Sequence, residues 1–287
     1  MIGFLLVDKP SGWTSHDAVA KVRRVLGEKR VGHAGTLDPM CTGLLLMAVG
    51  HATRFMRYLL LEPKEYVGEM TLGVETTTHD SEGEPVETRD ASSVTIESLR
   101  SYAARLAGRI SQTPPMFSAV KVGGQRLYKL ARKGEEVERP AREVDVFAFD
   151  ILGLHDGRAS FRVSCSGGTY VRSLVHDLGR LAGCGAHLSS LRRISLGGFY
   201  VGEACAPDEV SADRLLPLDG ALDLPAVRLA QGQATSAKHG QKFSLNVHEG
   251  AERIALLDEQ GRFFAVARRE RNEWLPECVL PIEVLSG

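Results

Sequence analysis

The two hydrophobic periods in this chain follow one another without regular alternation. The strand-helix-strand repeat of a doubly wound parallel sheet is therefore excluded, and the pattern predicts an α+β fold: a mainly antiparallel mixed sheet flanked by helices and loops. Residues 3–7 read as a strand closed by the turn Lys9-Pro10-Ser11-Gly12. Thr14 and Asp17 have capping-box spacing, and Val19, Val22, Val25 and Leu26 share one face of the helix that follows. Residues 31–43 read as a loop by their glycines, 44–49 as a buried strand, 51–61 as a helix and 66–72 as extended chain. The acidic stretch 75–90 predicts a surface loop or hairpin, and 96–106 a helix. Pro114-Pro115 opens an extended segment over 116–122, followed by a short basic helix over 127–133. Residues 144–154 and 159–164 flank His155-Asp156-Gly157 as a hairpin, and 169–181 have helical spacing with Thr169 as the expected cap.

The acidic, proline-marked stretch 213–225 is the expected domain boundary, and the turn at residues 258–261 between apolar runs predicts a small β domain beyond it. The domains are expected at 1–222 and 223–287. No run approaches the roughly 18 apolar residues that span a bilayer, and the apolar start lacks a basic leader region, so the cytoplasm is the expected location. Five cysteines, none in a C-x-x-C pair, predict reduced thiols and no structural zinc. A net charge of −1 argues against holding nucleic acid by bulk charge alone. Its distribution is uneven, however. Residues 62–97 carry ten Asp/Glu against Lys64 and Arg89, whereas 121–142 carry seven Lys/Arg against three Glu. By itself that asymmetry reads as two solvated surfaces.

Chemistry concentrates in Gly32-His33-Ala34-Gly35-Thr36-Leu37-Asp38-Pro39. The glycines permit a tight turn and Pro39 restricts Asp38 to extended geometry, holding a carboxylate at a loop tip. An Asp-Pro pair alone would be an ordinary turn. The flanking residues change that reading.

His33-x-Gly35-x-Leu37-Asp38-Pro39, followed by Thr42-Gly43 and an apolar strand, resembles the catalytic motif of the TruB-type tRNA pseudouridine synthases. Leu6-Val7-Asp8-Lys9-Pro10 with Gly12 and Thr14-Ser15 is similar to that family's N-terminal motif, and Lys64-Glu65-Tyr66 to the motif of its active-site tyrosine. Pro114-Pro115 with Ser118-Ala119-x-Lys121, the run Cys165 through Arg172, and Leu191-Arg192-Arg193 match its later motifs in order. Thr77 stands where the family commonly has aspartate, and Gly167 where lysine is frequent.

The resemblance implies isomerisation of a T-loop uridine of tRNA, position 55, by base flipping, without metal or organic cofactor and without an obligate protein partner; a monomer suffices. It implies Asp38 as nucleophile, with attack on the sugar and addition to the base both open. Arg172 is implied as its ion-pair partner, a cation that keeps a carboxylate ionised beside a base. Arg172→Met is expected to fold and bind RNA while losing turnover. Tyr66 offers a ring for stacking and a hydroxyl near C5. Tyr170 and Leu191 are implied pocket walls, and His33 fills the space of the extruded base. Lys121, Arg126, Lys129, Arg132 and Lys133, with Arg23, Arg24 and Arg54, are candidates for phosphate contacts. The segment after residue 223 resembles the PUA domains of these enzymes. A non-catalytic RNA-binding protein is the alternative, although binding requires no nucleophile. A hydrolase forming an aspartyl intermediate lacks a phosphate loop, and His79-Asp80 has no companion ligands at metal spacing. Relatives that guide RNAs direct to other substrates share the motifs.

Overall fold

The computed structural model describes residues 1–118, 121–122, 124–127, 130, 137–245 and 250–285, with the backbone alone at 121, 122, 126, 284 and 285. Its first strands are β1 (Gly3–Lys9), β2 (Val31–Ala34), β3 (Thr42–Val49) and β4 (Lys64–Leu72), followed by the hairpin β5 (Val74–Thr76) and β6 (Pro85–Thr88). Next come β7 (Gly108–Gln112) and the short pair β8 (Lys121–Val122) and β9 (Gln125–Arg126). The strands β10 (Arg142–His155), β11 (Arg158–Cys165), β12 (Ala186–Leu196) and β13 (Phe199–Tyr200) complete the first part. Three helices matter to the site: α1 (Ser15–Leu26), α2 (Ile96–Arg105) and α3 (Val171–Leu181).

The main sheet runs β1-β3-β12-β4-β11-β10-β7, with β2 attached to β3 and β13 to β12. Neighbours along it are antiparallel except β12 and β3, which meet in parallel at Arg192↔Thr42 and Arg193↔Gly43. The expected mainly antiparallel mixed sheet is thus observed. Gly43 makes the parallel contact possible: it has φ +99°, and a Cβ there would overlap the Arg193 backbone.

The runs Phe4 to Val7 in β1 and Leu44 to Val49 in β3 are apolar because both faces are covered. Leu5, Val7, Leu45, Met47 and Val49 join one core with α1, α2 and α3, while Phe4, Leu6, Leu44, Leu46 and Ala48 join a second on the opposite face. The second core also contains Val266 and Cys278 from a four-stranded sheet, β14 (Ala226–Arg228), β15 (Arg253–Leu257), β16 (Phe263–Glu270) and β17 (Glu273–Val279), and Leu280 just after it. Phe55 meets Phe263 edge to face at 5.3 Å, so this sheet is docked by shared apolar packing. Its other face has its own core around Phe264 and Trp274.

Three expectations are corrected. The stretch 31–43 contains a strand as well as a loop, because β3 offers a free edge from Leu46 to Val49 on which even Gly32 and His33 can pair. The segment 51–61 forms two 3₁₀ turns, Gly50–Arg54 and Met56–Tyr58, instead of an α-helix. Within these turns the buried side chains Ala52, Phe55 and Tyr58 are spaced by three, the 3₁₀ period, and Leu59 follows them. Thr169 does not cap α3: Tyr170 occupies the N-cap position with no side-chain cap. Gln112 of β7 instead binds Tyr170 on both sides, accepting from its N–H at 2.7 Å and donating to its carbonyl at 3.1 Å. The basic helix expected over 127–133 lies largely outside the described residues. Among the described residues, no helix is long and apolar enough to cross a membrane.

Candidate active site

The loop bearing Asp38 is fixed from two directions. Ser15, the first residue of α1, donates its hydroxyl to the Leu37 carbonyl at 3.1 Å and accepts the Leu37 N–H at 2.9 Å. Lys9, at the end of β1 and fully buried, donates to the carbonyls of Pro10, Trp13 and Pro39 at 2.9, 2.6 and 3.2 Å. Gly12 N–H adds a bond to Pro39 O at 2.9 Å, and Cys41 N–H one to Asp38 O at 3.0 Å. The residues on both sides of Asp38 are therefore tied down, and little backbone freedom remains to it. Burial pulls the Lys9 ammonium below its ordinary pKa, and nearby Cys41 and Asp38 oppose that shift.

Arg172, the second residue of α3, is 4% exposed and points its Nε at Asp38 Oδ2, 2.9 Å away. Its Nη1 donates to Thr78 O at 2.9 Å and lies 3.4 Å from Asp80 Oδ2, while Nη2 donates to Phe117 O at 2.9 Å. A cation in the first turn opposes the helix macrodipole, and two carboxylates with two carbonyls offset that cost. Asp80 is as buried as Arg172, whereas Asp38 is 38% exposed and turned toward the opening. The guanidinium therefore anchors on Asp80 and presents Asp38.

These groups border a cavity of about 230 Å³ lined by Asp38, Cys41, Lys64, Tyr66, Tyr170 and Leu191 among others. Tyr66 and Leu191 are each 7% exposed, on the neighbouring strands β4 and β12. Burial raises the Tyr66 hydroxyl pKa, and a hydrogen bond with Arg193 works against the rise. Arg193 is itself fully buried, donating from Nε to Leu44 O at 2.8 Å and from Nη2 to Gly35 O at 3.1 Å. Lys64 also borders the cavity, its pKa lowered by burial and then by Arg193. Burial, reinforced by the Asp38 carboxylate, pushes the Cys41 thiol up to about 12. It is therefore a neutral wall of the cavity, with no thiolate to act as a nucleophile.

Of the candidate residues, Asp38, Tyr66, Tyr170, Arg172 and Leu191 come together here. His33 does not line the cavity; it sits on β2 with its ring edge-on to His16 at 5.6 Å, and burial, then His16 and Arg193, lower its pKa. Arg23 and Arg54 donate to the carbonyls of Val31 and Val279, at 2.7 and 2.8 Å, so these guanidinium groups already have protein partners. The backbones of Lys121 and Arg126 pair across β8 and β9, while Lys129, Arg132 and Lys133 lie outside the described residues. The residues missed in the sequence are Asp80, Ser15, Gln112 and Arg193 as supports. Asp80 had a signal, since it closes the threonine-spaced run Thr76 to Asp80. Gln112 had none. Among the described residues no cluster of His, Cys, Asp and Glu has the arrangement of a metal site.

Residues 23–171 match the family described as TruB family pseudouridylate synthase (N terminal domain), and 172–222 match the tRNA pseudouridylate synthase B C-terminal domain. The chain is 45% identical over 288 residues to tRNA pseudouridine synthase B of Thermobifida fusca (strain YX), covering 96% of this chain and 98% of that one. It is 40% identical over 282 residues to the protein of the same name from Streptococcus thermophilus (strain CNRZ 1066), covering 91% and 96%. Among solved structures, an H/ACA RNP bound to a substrate RNA containing 2'-deoxyuridine shares the fold, with TM-score 0.70 and 24% identity over 97% of this chain and 85% of that one. With its matched segments running from residue 23 to 222 and relatives aligned over nearly its whole length, the chain belongs to the TruB family of pseudouridylate synthases.

Proposed function

We propose that this protein isomerises a uridine of folded tRNA to pseudouridine, at T-loop position 55, with Asp38 as nucleophile and with neither metal nor organic cofactor. The observation that carries this reading is the Asp38 carboxylate, held 2.9 Å from a buried guanidinium at a cavity walled by Tyr66, Tyr170 and Leu191. The reaction breaks the N1–C1′ bond, turns the base, joins C5 to C1′ and releases the C5 proton, while N1 takes up a proton from solvent. Breaking the first bond needs a nucleophile or an anion beside the reacting ring, and Asp38 supplies it. The base must leave its stack to reach the cavity, where the Tyr66 ring stacks on it and the Tyr66 hydroxyl assists removal of the C5 proton. His33, beside the cavity, takes the place of the extruded base.

The basic stretch containing Lys121, Arg126 and Lys129 neutralises phosphates of the T-arm, and residues 223–287 serve as a PUA-like RNA-binding domain behind a catalytic domain of residues 1–222. The protein works as a cytoplasmic monomer in this reading. Substitution Tyr66→Phe keeps the ring and removes the hydroxyl. Its expected result is unchanged tRNA binding with product formation slowed about 10²-fold, the scale of one general acid–base contribution. An unaffected single-turnover rate would take the hydroxyl out of the mechanism.

The reading is tested by tritium release from an unmodified tRNA transcript labelled at uridine C5, without added metal. The same transcript with cytidine at the T-loop position serves as control. One equivalent is expected from the first and none from the second. Equal release from both would move the target to another uridine, and tight binding without release would favour an RNA-binding protein.

A further inference from the structure

Two of the partners of Arg172, Thr78 and Asp80, lie on the loop between β5 and β6, and that loop carries an aromatic contact to α3 that the reaction does not use. His79 lies between Thr78, whose carbonyl accepts from Arg172 Nη1, and Asp80, whose carboxylate faces the same nitrogen. Its ring stacks on His176, one helical turn beyond Arg172 on α3, with centroids 3.9 Å apart and planes within 1° of parallel. His79 has φ +62°, in the left-handed region where a non-glycine residue is uncommon. On its other side the loop is bound to β12: Leu188 N–H donates to His79 O and Ser81 N–H to Leu188 O, both at 3.0 Å. Backbone bonds thus hold the loop to the sheet, and the ring stack holds it to the helix that carries the arginine.

We propose that His79 and His176 form an uncharged aromatic clamp that positions Arg172, by keeping the Thr78 carbonyl and the Asp80 carboxylate aimed at its guanidinium. The proposal rests on the reading of Arg172 as the partner of Asp38. Rotation of the loop away from α3 would pull both oxygens off Nη1 and slide the rings apart, so the two contacts are made or lost together. The clamp requires neutral rings, because two imidazolium groups at this separation repel. The surroundings favour neutrality. Both Nδ1 atoms are buried without a hydrogen-bond partner, and Glu75 Oε2 lies 3.8 Å from that of His176, too far for one.

The groups facing His79 are His176 and Arg172 from α3 and Arg139 from the strand-flanking segment before β10; after burial, these hold its pKa down at about 3. Those facing His176 are Glu75 from β5 and Asp177 and Arg180 from α3; burial lowers its pKa, and the two carboxylates resist. A proton on the pair therefore goes first to His176. Because both folded-state values lie below the ordinary 6.5, both rings are neutral and the clamp is complete near neutral pH, and the rings take up protons only as pH falls through those lowered values.

The test measures single-turnover tritium release and tRNA affinity between pH 5.5 and 8 for wild type, His79→Ala, His79→Phe and Arg172→Met. His79→Ala is expected to slow release at least about 10-fold at pH 7.5 with affinity changed less than about 2-fold, since positioning a catalytic group affects the chemical step. The ring in His79→Phe restores the stack without a second titrating imidazole. It is expected to recover most of that loss at pH 7.5 and to follow the wild-type profile between pH 5.5 and 8, where His79 is neutral. A wild-type rate in His79→Ala, with Arg172→Met inactive, would overturn the clamp alone. Equal defects in His79→Phe and His79→Ala would do the same. Full turnover by Arg172→Met would remove the role of the arginine and this proposal with it.

Discussion

Asp38→Asn is expected to leave the protein folded and able to bind tRNA while tritium release falls at least about 10³-fold, on the scale seen when other enzymes lose their nucleophile. Asparagine matches the carboxylate in size, and the side chain is 38% exposed, so no buried volume is lost. The backbone bonds from Ser15, Lys9, Gly12 and Cys41 do not involve the carboxylate, so the loop keeps its shape. What disappears is the anion, and with it the oxygen proposed as nucleophile. Removing a negative charge beside the substrate path also leaves affinity for a polyanion equal to or above that of wild type. Single-turnover release and filter binding on the same preparations decide the matter. An Asp38→Asn protein retaining a tenth of the wild-type rate would exclude covalent catalysis by this residue.

The second large effect is that of Arg172→Met, and here the structure revises the simple expectation that the variant folds normally. Removing the guanidinium leaves Asp80, 4% exposed, as a buried carboxylate without its cation. Stranding one member of a buried ion pair costs about 3–5 kcal/mol, equivalent to a fall in Tm of roughly 10 °C for a chain of this size. Turnover should fall about 10²–10³-fold, because Asp38 loses its partner as well. The two effects separate in the double substitution Arg172→Met with Asp80→Asn, where no buried charge is left. Thermal melting should return most of the way to the wild-type Tm while tritium release stays low. Recovery of turnover along with stability would mean that Arg172 acts only by holding the fold. An unchanged Tm in the single variant would mean that Asp80 does not depend on it.

The network around Arg172 also indicates how far this site can be read in one dimension. Asp38 is legible because its geometry is local: glycine before it, proline after it, and a buried strand beginning four residues on. Tyr66 and Leu191 are legible only through their motifs, since nothing local distinguishes a buried strand tyrosine beside a cavity from any other core tyrosine. The strand carrying Leu191 was itself hard to see. Along β12 the alternation of buried positions slips twice, at the bulges Leu188/Ser190 and Arg193/Ser195, and a charged residue, Arg193, occupies a core position. A period-two pattern interrupted in this way does not announce a central strand. The helix start at Val171 was obscured for a related reason, because it has no capping side chain and its N-cap residue, Tyr170, is held by Gln112, 58 residues away in the chain.

The sequence alone determined the elements whose signals lie within a few residues: the capping box of α1, the apolar runs of β1 and β3, the hairpin of β10 and β11, the loop holding Asp38 and the motif set of the family. These follow from local sterics and from hydrophobic period, which need no partner to be read. Only the tertiary structure decided that Arg172 shares its charge between Asp38 and Asp80, that Arg193 reaches Tyr66, that Gly43 admits the backbone of β12, and that His79 stacks on His176. Each of those contacts joins residues 92 or more positions apart. Long-range pairs form because packing brings their elements together, and what they do to burial, charge and orientation exists only once the chain has closed on itself.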